Sequence, residues 1–168
     1  MISLVLALAT LAVQHDHHAA TPAASPPVCT ATYPADLAAW RDAHPVEHGV
    51  MIGRTAELPA RPIANVRLAV VPGKPLSGSH FASASFDVAA AGTYRVAAGG
   101  VNAPIKPLWL DVAGADNTPL RNVTFGHGPA CTSITKVVEY KLAPGRYTFL
   151  ATGLTDAAPV RVLIVRKP

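Results

Sequence analysis

A chain of 168 residues holds one domain with an appendage, and folding at that size buries roughly two thirds of the surface the unfolded chain exposes. Half of the residues are apolar and only 14% are charged, while 16 prolines and 12 glycines scatter turn signals along the chain, which excludes coiled coils and single long helices. The net charge of +4 comes from dispersed Lys and Arg, and the four Phe, four Tyr and two Trp fall mostly on expected core faces; nucleic-acid binding needs a basic stripe with interleaved aromatics and is not expected. On charge alone, an anionic surface polymer is a compatible partner.

In chain order, residues 2–13 form an apolar run that ends among the small residues Ala7, Ala9, Thr10 and Ala12. About twelve residues is too short for a bilayer-spanning helix, which needs roughly 20, and suits the apolar core of a secretory signal. No Lys or Arg precedes the run, a departure from the usual signal. Small-x-small cleavage patterns occur at Ala9 and Ala12, and the second is preferred. The expected organisation is a signal peptide over 1–12, a His-rich and then Ala/Pro-rich flexible arm over 13–28, and a single β-sandwich domain over 29–168, exported to the periplasm or beyond the cell.

The arm carries the strongest chemical signal. Cleavage at Ala12 starts the mature chain at Val13-Gln14-His15, so the free amine, two backbone nitrogens and the His15 imidazole can surround Cu(II) or Ni(II) in the square plane those ions favour. With cleavage at Ala9, His15, His17 and His18 can still hold zinc or copper loosely. A soluble tether with incidental His is the plainer alternative. Cys29 and Cys131, an even count at wide spacing in an exported chain, are expected to form a disulfide.

Beyond the arm, a short helix is expected over 34–43, with Asp36 near its positive end and Leu37 and Trp40 on one face, stopped by His44-Pro45. The period then changes to two, and strands are expected over 66–71, 81–88, 93–98, 108–112, 120–125, 135–142, 146–151 and 160–166, with a further one around 50–54. Val138/Tyr140/Leu142, Tyr147/Phe149/Ala151 and Tyr94/Val96/Ala98 form the inward sets, with Arg95, Lys141, Arg146 and Thr148 facing outward. Two turns, at Gly92-Thr93-Tyr94 and Gly145-Arg146-Tyr147, each place a Tyr two residues after a Gly, the sign of a tyrosine corner in which the hydroxyl bonds back to upstream backbone. The expected fold class is therefore all-β: a two-sheet antiparallel sandwich, Greek-key or jelly-roll, with one short N-terminal helix.

The succession Phe86-Asp87-Val88-Ala89-Ala90-Ala91-Gly92-Thr93-Tyr94-Arg95-Val96, Leu108-Trp109-Leu110-Asp111-Val112, Tyr140-Lys141-Leu142-Ala143-Pro144-Gly145-Arg146-Tyr147-Thr148-Phe149 and 160–165 resembles the bacterial prepeptidase C-terminal-like and carbohydrate-binding-like sandwich families. That resemblance implies a fold and not an activity. A narrower segment, Gly126-His127-Gly128-Pro129-Ala130-Cys131-Thr132-Ser133-Ile134-Thr135-Lys136, is similar to one in small exported bacterial proteins, some catalogued as homogentisate dioxygenases. This likeness implies ring cleavage at iron held by two His and a carboxylate, although the dioxygenases themselves are much larger cupins and this chain carries no cupin-like ligand motif.

Within the domain, His44-Pro45-Val46-Glu47-His48 spells H-x-x-E-H, an inverted zinc-peptidase motif, but Pro45 and Gly49 deny it the helix that the chemistry requires. A turn with exposed His is expected there. His127, between Gly126 and Gly128, is expected in a loop stapled by Cys131, at a sandwich end where such folds place binding sites. An iron site would need His127, His80 and one of His44 or His48 to converge with Glu47. Asp87, Asp111 and Glu139 stand singly, so no carboxylate pair for glycosidic chemistry is expected. Trp109, beside Asp111, is either a sugar or partner platform or packs against the N-terminal helix, the latter preferred. The leading functional expectation is a non-catalytic binding or accessory protein with copper, nickel or zinc on its arm. An iron dioxygenase and a carbohydrate- or surface-binding module are the alternatives.

Overall fold

The computed structural model of the chain describes residues 30–46, 49–64, 66–74, 76 and 78–168. The expected signal, the arm with Val13, Gln14, His15, His17 and His18, and Cys29, Glu47 and His48 lie outside the described residues.

Alternation becomes strand wherever the apolar member finds a facing sheet to bury against. After a 3-10 helix at Ala35–Arg41, the described residues form β1 (Ala43–Pro45), β2 (Thr55–Leu58), β3 (Arg61–Pro62), β4 (His80–Val88), β5 (Gly92–Gly99), β6 (Trp109–Ala113), β7 (Thr124–His127), β8 (Ile134–Leu142), β9 (Gly145–Leu154) and β10 (Val160–Arg166). A six-stranded sheet, ordered β1-β2-β10-β5-β8-β7, faces a four-stranded sheet, ordered β3-β4-β9-β6. All pairs are antiparallel except β1 with β2. The all-β sandwich with one short N-terminal helix is thus the fold.

The three expected inward sets meet in one core. Tyr94, Val96, Ala98, Val138, Tyr140, Leu142, Val162 and Ile164 from one sheet pack against Phe86, Leu110, Val112, Phe149 and Ala151 from the other. A second cluster lies on the outer face of the larger sheet, where Leu37 and Trp40 of the 3-10 helix cover Ala97, Ile134 and Leu163. Trp40 is fully buried, and its indole N–H donates to Ser133 Oγ at 3.0 Å.

The pairing register explains why the Gly-x-Tyr turn occurs twice. From His80↔Leu154 to Val88↔Gly145 the chain pairs β4 with β9; from Gly92↔Leu142 to Gly99↔Ile134 it pairs β5 with β8. The two segments form one antiparallel ribbon, bent from one sheet into the other at 89–91 and 143–144, which is the jelly-roll way of closing a sandwich. Each arch is tied by its own tyrosine: Tyr94 Oη donates to Ala90 O at 2.7 Å and Tyr147 Oη to Ala143 O at 3.0 Å. Gly145 leaves its arch at φ 155°, a conformation that side chains disfavour.

Several expected boundaries are corrected. Residues 66–71 are not a strand: Val66 N–H closes a turn onto Ile63 O, and the segment lies over the outer face of the smaller sheet, where Val70 is buried with Phe81, Ala113 and Leu150. Its alternation reports one-sided packing without a ladder partner. The strand expected over 120–125 is displaced to β7, because the preceding residues cross between sheets: Pro119 bridges to Ala113, Leu120 N–H donates to Val112 O, and Val123 N–H donates to Glu139 O. The strand expected around 50–54 begins instead at Thr55, after a turn in which Arg54 N–H donates to Met51 O. The expected helix is a shorter 3-10 helix, with no side-chain cap.

Candidate binding cleft

The two sheets differ in width, and the chemistry gathers where they part. Beyond β6, the edge of the smaller sheet, β8 and β7 continue the larger one, and the crossing segment 119–123 spans the gap. A cavity of about 410 Å³ opens there, lined by Lys74, Trp109, Asp111, Leu120, Asn122, Phe125, Lys136 and Tyr140 among others.

Each lining group has a local cause. In β8, Lys136 occupies the parity of Val138, Tyr140 and Leu142 and pairs with Ala98, so it stands on the inward face at the sandwich end. Trp109 and Asp111 alternate with the buried Leu110 and Val112 on the edge strand β6. The Trp109 ring lies close to Gly153 of the neighbouring strand, where a Cβ would come within 3.0 Å of Cδ1. Phe125 pairs with Val138 and shares its face, but β7 is the edge strand of the larger sheet and the ring is 74% exposed.

The electrostatics are uneven. Lys136 Nζ sits over the Trp109 ring, 4.6 Å from its centroid, a cation–π contact. Burial lowers the Lys136 pKa; Asp111 opposes that shift and Lys74 adds to it. The Tyr140 phenol is pushed well above its ordinary value, first by burial and then by the Asp111 charge, against a hydrogen bond with the Val112 backbone. Asp111 Oδ2 accepts from Gly73 N–H at 3.1 Å, which fixes the neighbouring Lys74 loop at the cleft. Two ammonium groups therefore share the cavity with one carboxylate.

The residues singled out by sequence are dispersed. His44 lies on β1 and His127 on β7, the opposite edges of the six-stranded sheet, about 24 Å apart at ordinary strand spacing. His80 begins β4 in the other sheet, its Nδ1 2.8 Å from Ser79 Oγ. Among the described residues there is no group of three or more His, Cys, Asp or Glu side chains placed to hold a metal ion. His44 is in a short parallel strand, not a turn, since residues 43–45 find β2 alongside. His127 ends a strand and is not in a loop, because Gly126 and His127 ladder with Val137 and Lys136. Trp109 does not belong to the cluster beneath the N-terminal helix, which covers the outer face of the other sheet. Among the described residues no cysteine is free, and Cys131 is disulfide-bonded.

Glu139 proves to be a structural carboxylate. It accepts from Arg95 and Lys167, and Arg95 also pairs with Asp36 of the 3-10 helix. The Arg95 hydrogen bond, foremost, holds the Glu139 pKa below its ordinary value against desolvation.

Comparison with known proteins returns no match to a family model or to a curated protein sequence. Lys74, Asn122, Lys136 and Tyr140 escaped the sequence reading as site residues. One signal was available: Lys136 is a charge at an inward parity of an otherwise apolar strand.

Proposed function

We propose that the protein is an exported, non-catalytic β-sandwich binding module whose ligand site is the cleft between β6 and β8. The cavity itself carries this reading: its size lies within the range of small-molecule sites, and apolar walls surround a few convergent polar groups, the usual make-up of such a site. Asp111, the carboxylate in the cleft, is engaged by Gly73 N–H and lies near Lys136, which suits it to orienting its neighbours more than to proton transfer. Export is supported by the apolar run at 2–13 and by a disulfide at Cys131, a bond that persists in oxidising compartments.

The test is a backbone and side-chain NMR titration with a panel of small organic acids, neutral aromatics and monosaccharides. Shifts confined to Trp109, Asp111, Asn122 and Lys136 are expected from at least one class. A panel that moves no cleft resonance, or moves only resonances elsewhere, overturns the reading. Copper, nickel or zinc capture by Val13, Gln14, His15, His17 and His18 is a separate proposal resting on sequence; N-terminal sequencing of the mature protein tests it, since a start other than Val13 removes the amine-to-His15 geometry.

A further inference from the structure

Resting on the reading of the cleft as a ligand site, we propose that its ligand is a small carboxylate with an apolar, flat body, bound through the Lys136 and Lys74 ammonium groups against the Trp109, Leu120 and Phe125 walls. Three observations lead there.

Charge comes first. Lys74 and Lys136 line the cavity together with the carboxylate of Asp111, which already accepts from Gly73 N–H. The described contact of Lys136 Nζ is with the face of the Trp109 ring, which offers the ammonium a π cloud and no acceptor oxygen. A partly desolvated ammonium on an indole face gains most from an oxyanion that supplies both charge and acceptors.

The walls come second. Trp109, Leu110, Leu120, Phe125 and Val138 form the apolar side of the lining, while Lys74, Asp111, Asn122, Lys136 and Tyr140 supply its polar side. A ligand hydroxylated on every face would set hydroxyls against Trp109, Leu120 and Phe125, at a cost for each hydrogen bond left unmade there. An apolar body removes those same walls from water with no such cost.

Accessibility is the third. Trp109 and Phe125 keep 36% and 74% of their surface exposed although both border the cavity. A flat body between them would cover apolar surface that the fold alone leaves wet.

The experiment follows Trp109 emission, with Trp109→Phe as the control that isolates the buried Trp40, in the full-length protein. The probes are benzoate, its neutral isostere benzamide, and glucuronate as a polar-bodied acid. Benzoate is expected to bind at least about tenfold more tightly than either of the others, in line with a charge-assisted contact plus apolar burial. Lys136→Gln should lose that preference, and Lys136→Arg should retain it. Equal binding of benzamide and benzoate overturns the anion assignment, and equal binding of glucuronate overturns the apolar body; either result leaves the cleft standing as a site. Failure of all three probes overturns the inference, while the broader NMR panel decides the fate of the cleft separately.

Discussion

Loss of a single hydroxyl separates the two tyrosine corners. Tyr94 is 2% exposed and its bond to Ala90 O lies partly inside the core, whereas the Tyr147 bond to Ala143 O is exposed to water, which can replace the lost donor. Tyr94→Phe is expected to cost about 0.5–1.5 kcal/mol in urea unfolding, with Tyr147→Phe at or below the lower end of that range. A larger loss for Tyr147→Phe would mean that the exposed arch, not the buried one, limits stability. Glu139 gives a pH signature at the same scale. Its folded pKa is lowered, so its contribution is present above the unfolded value, near 4.5, and is lost as the pH falls through the folded value. The stability gap between the wild type and Glu139→Gln should hold at neutral pH and close below about 4.5. A gap independent of pH would assign the effect to packing.

At the scale of elements, the 3-10 helix is held to the sheet by few but well-made contacts. Trp40 is enclosed by Leu37, Ala97, Ile134 and Leu163 and donates to Ser133 Oγ, while Thr55 Oγ1 donates to Ala39 O from β2. Trp40→Ala is expected to cost about 3–5 kcal/mol by denaturant unfolding, the range for an emptied aromatic site. A loss below about 1 kcal/mol would show that the helix contributes little to the folded state. The strands that line the core were readable from alternation, and β10 falls on its expected residues because Val160, Val162 and Ile164 face the core. Alternation at Val66, Leu68 and Val70 misled, since a segment draped on a sheet can bury alternate residues as a strand does: Val70 is buried and Leu68 partly so, while Val66 stays exposed. The cleft was legible only in fragments. Trp109 and Asp111 were noticed on β6, but Lys136, Asn122 and Lys74 arrive from β8, from the crossing segment and from a loop, and only pairing brings them together.

For the whole molecule, closure of the chain depends on whether Cys29 is the disulfide partner of Cys131. Cys131 follows β7 at φ 63°, in the left-handed region that non-glycine residues rarely occupy, and the next residues, Thr132 and Ser133, turn the chain into β8 beneath Trp40. A bond from that point to Cys29 would tie the start of the domain to the same patch of sheet that the 3-10 helix covers. It would close a loop of about 100 residues, for which restriction of the unfolded chain gives up to ~4.7 kcal/mol. Peptide mapping without reductant should therefore recover one cross-linked peptide containing both cysteines, and Cys29→Ser/Cys131→Ser should lower unfolding stability by about 2–5 kcal/mol. Two titratable thiols in the purified, unreduced protein would dismiss the pairing. An intact cross-link whose removal leaves the unfolding midpoint unchanged would instead place the stability in the bent ribbon, whose 80–99 and 134–154 strands already join the two sheets through both tyrosine corners.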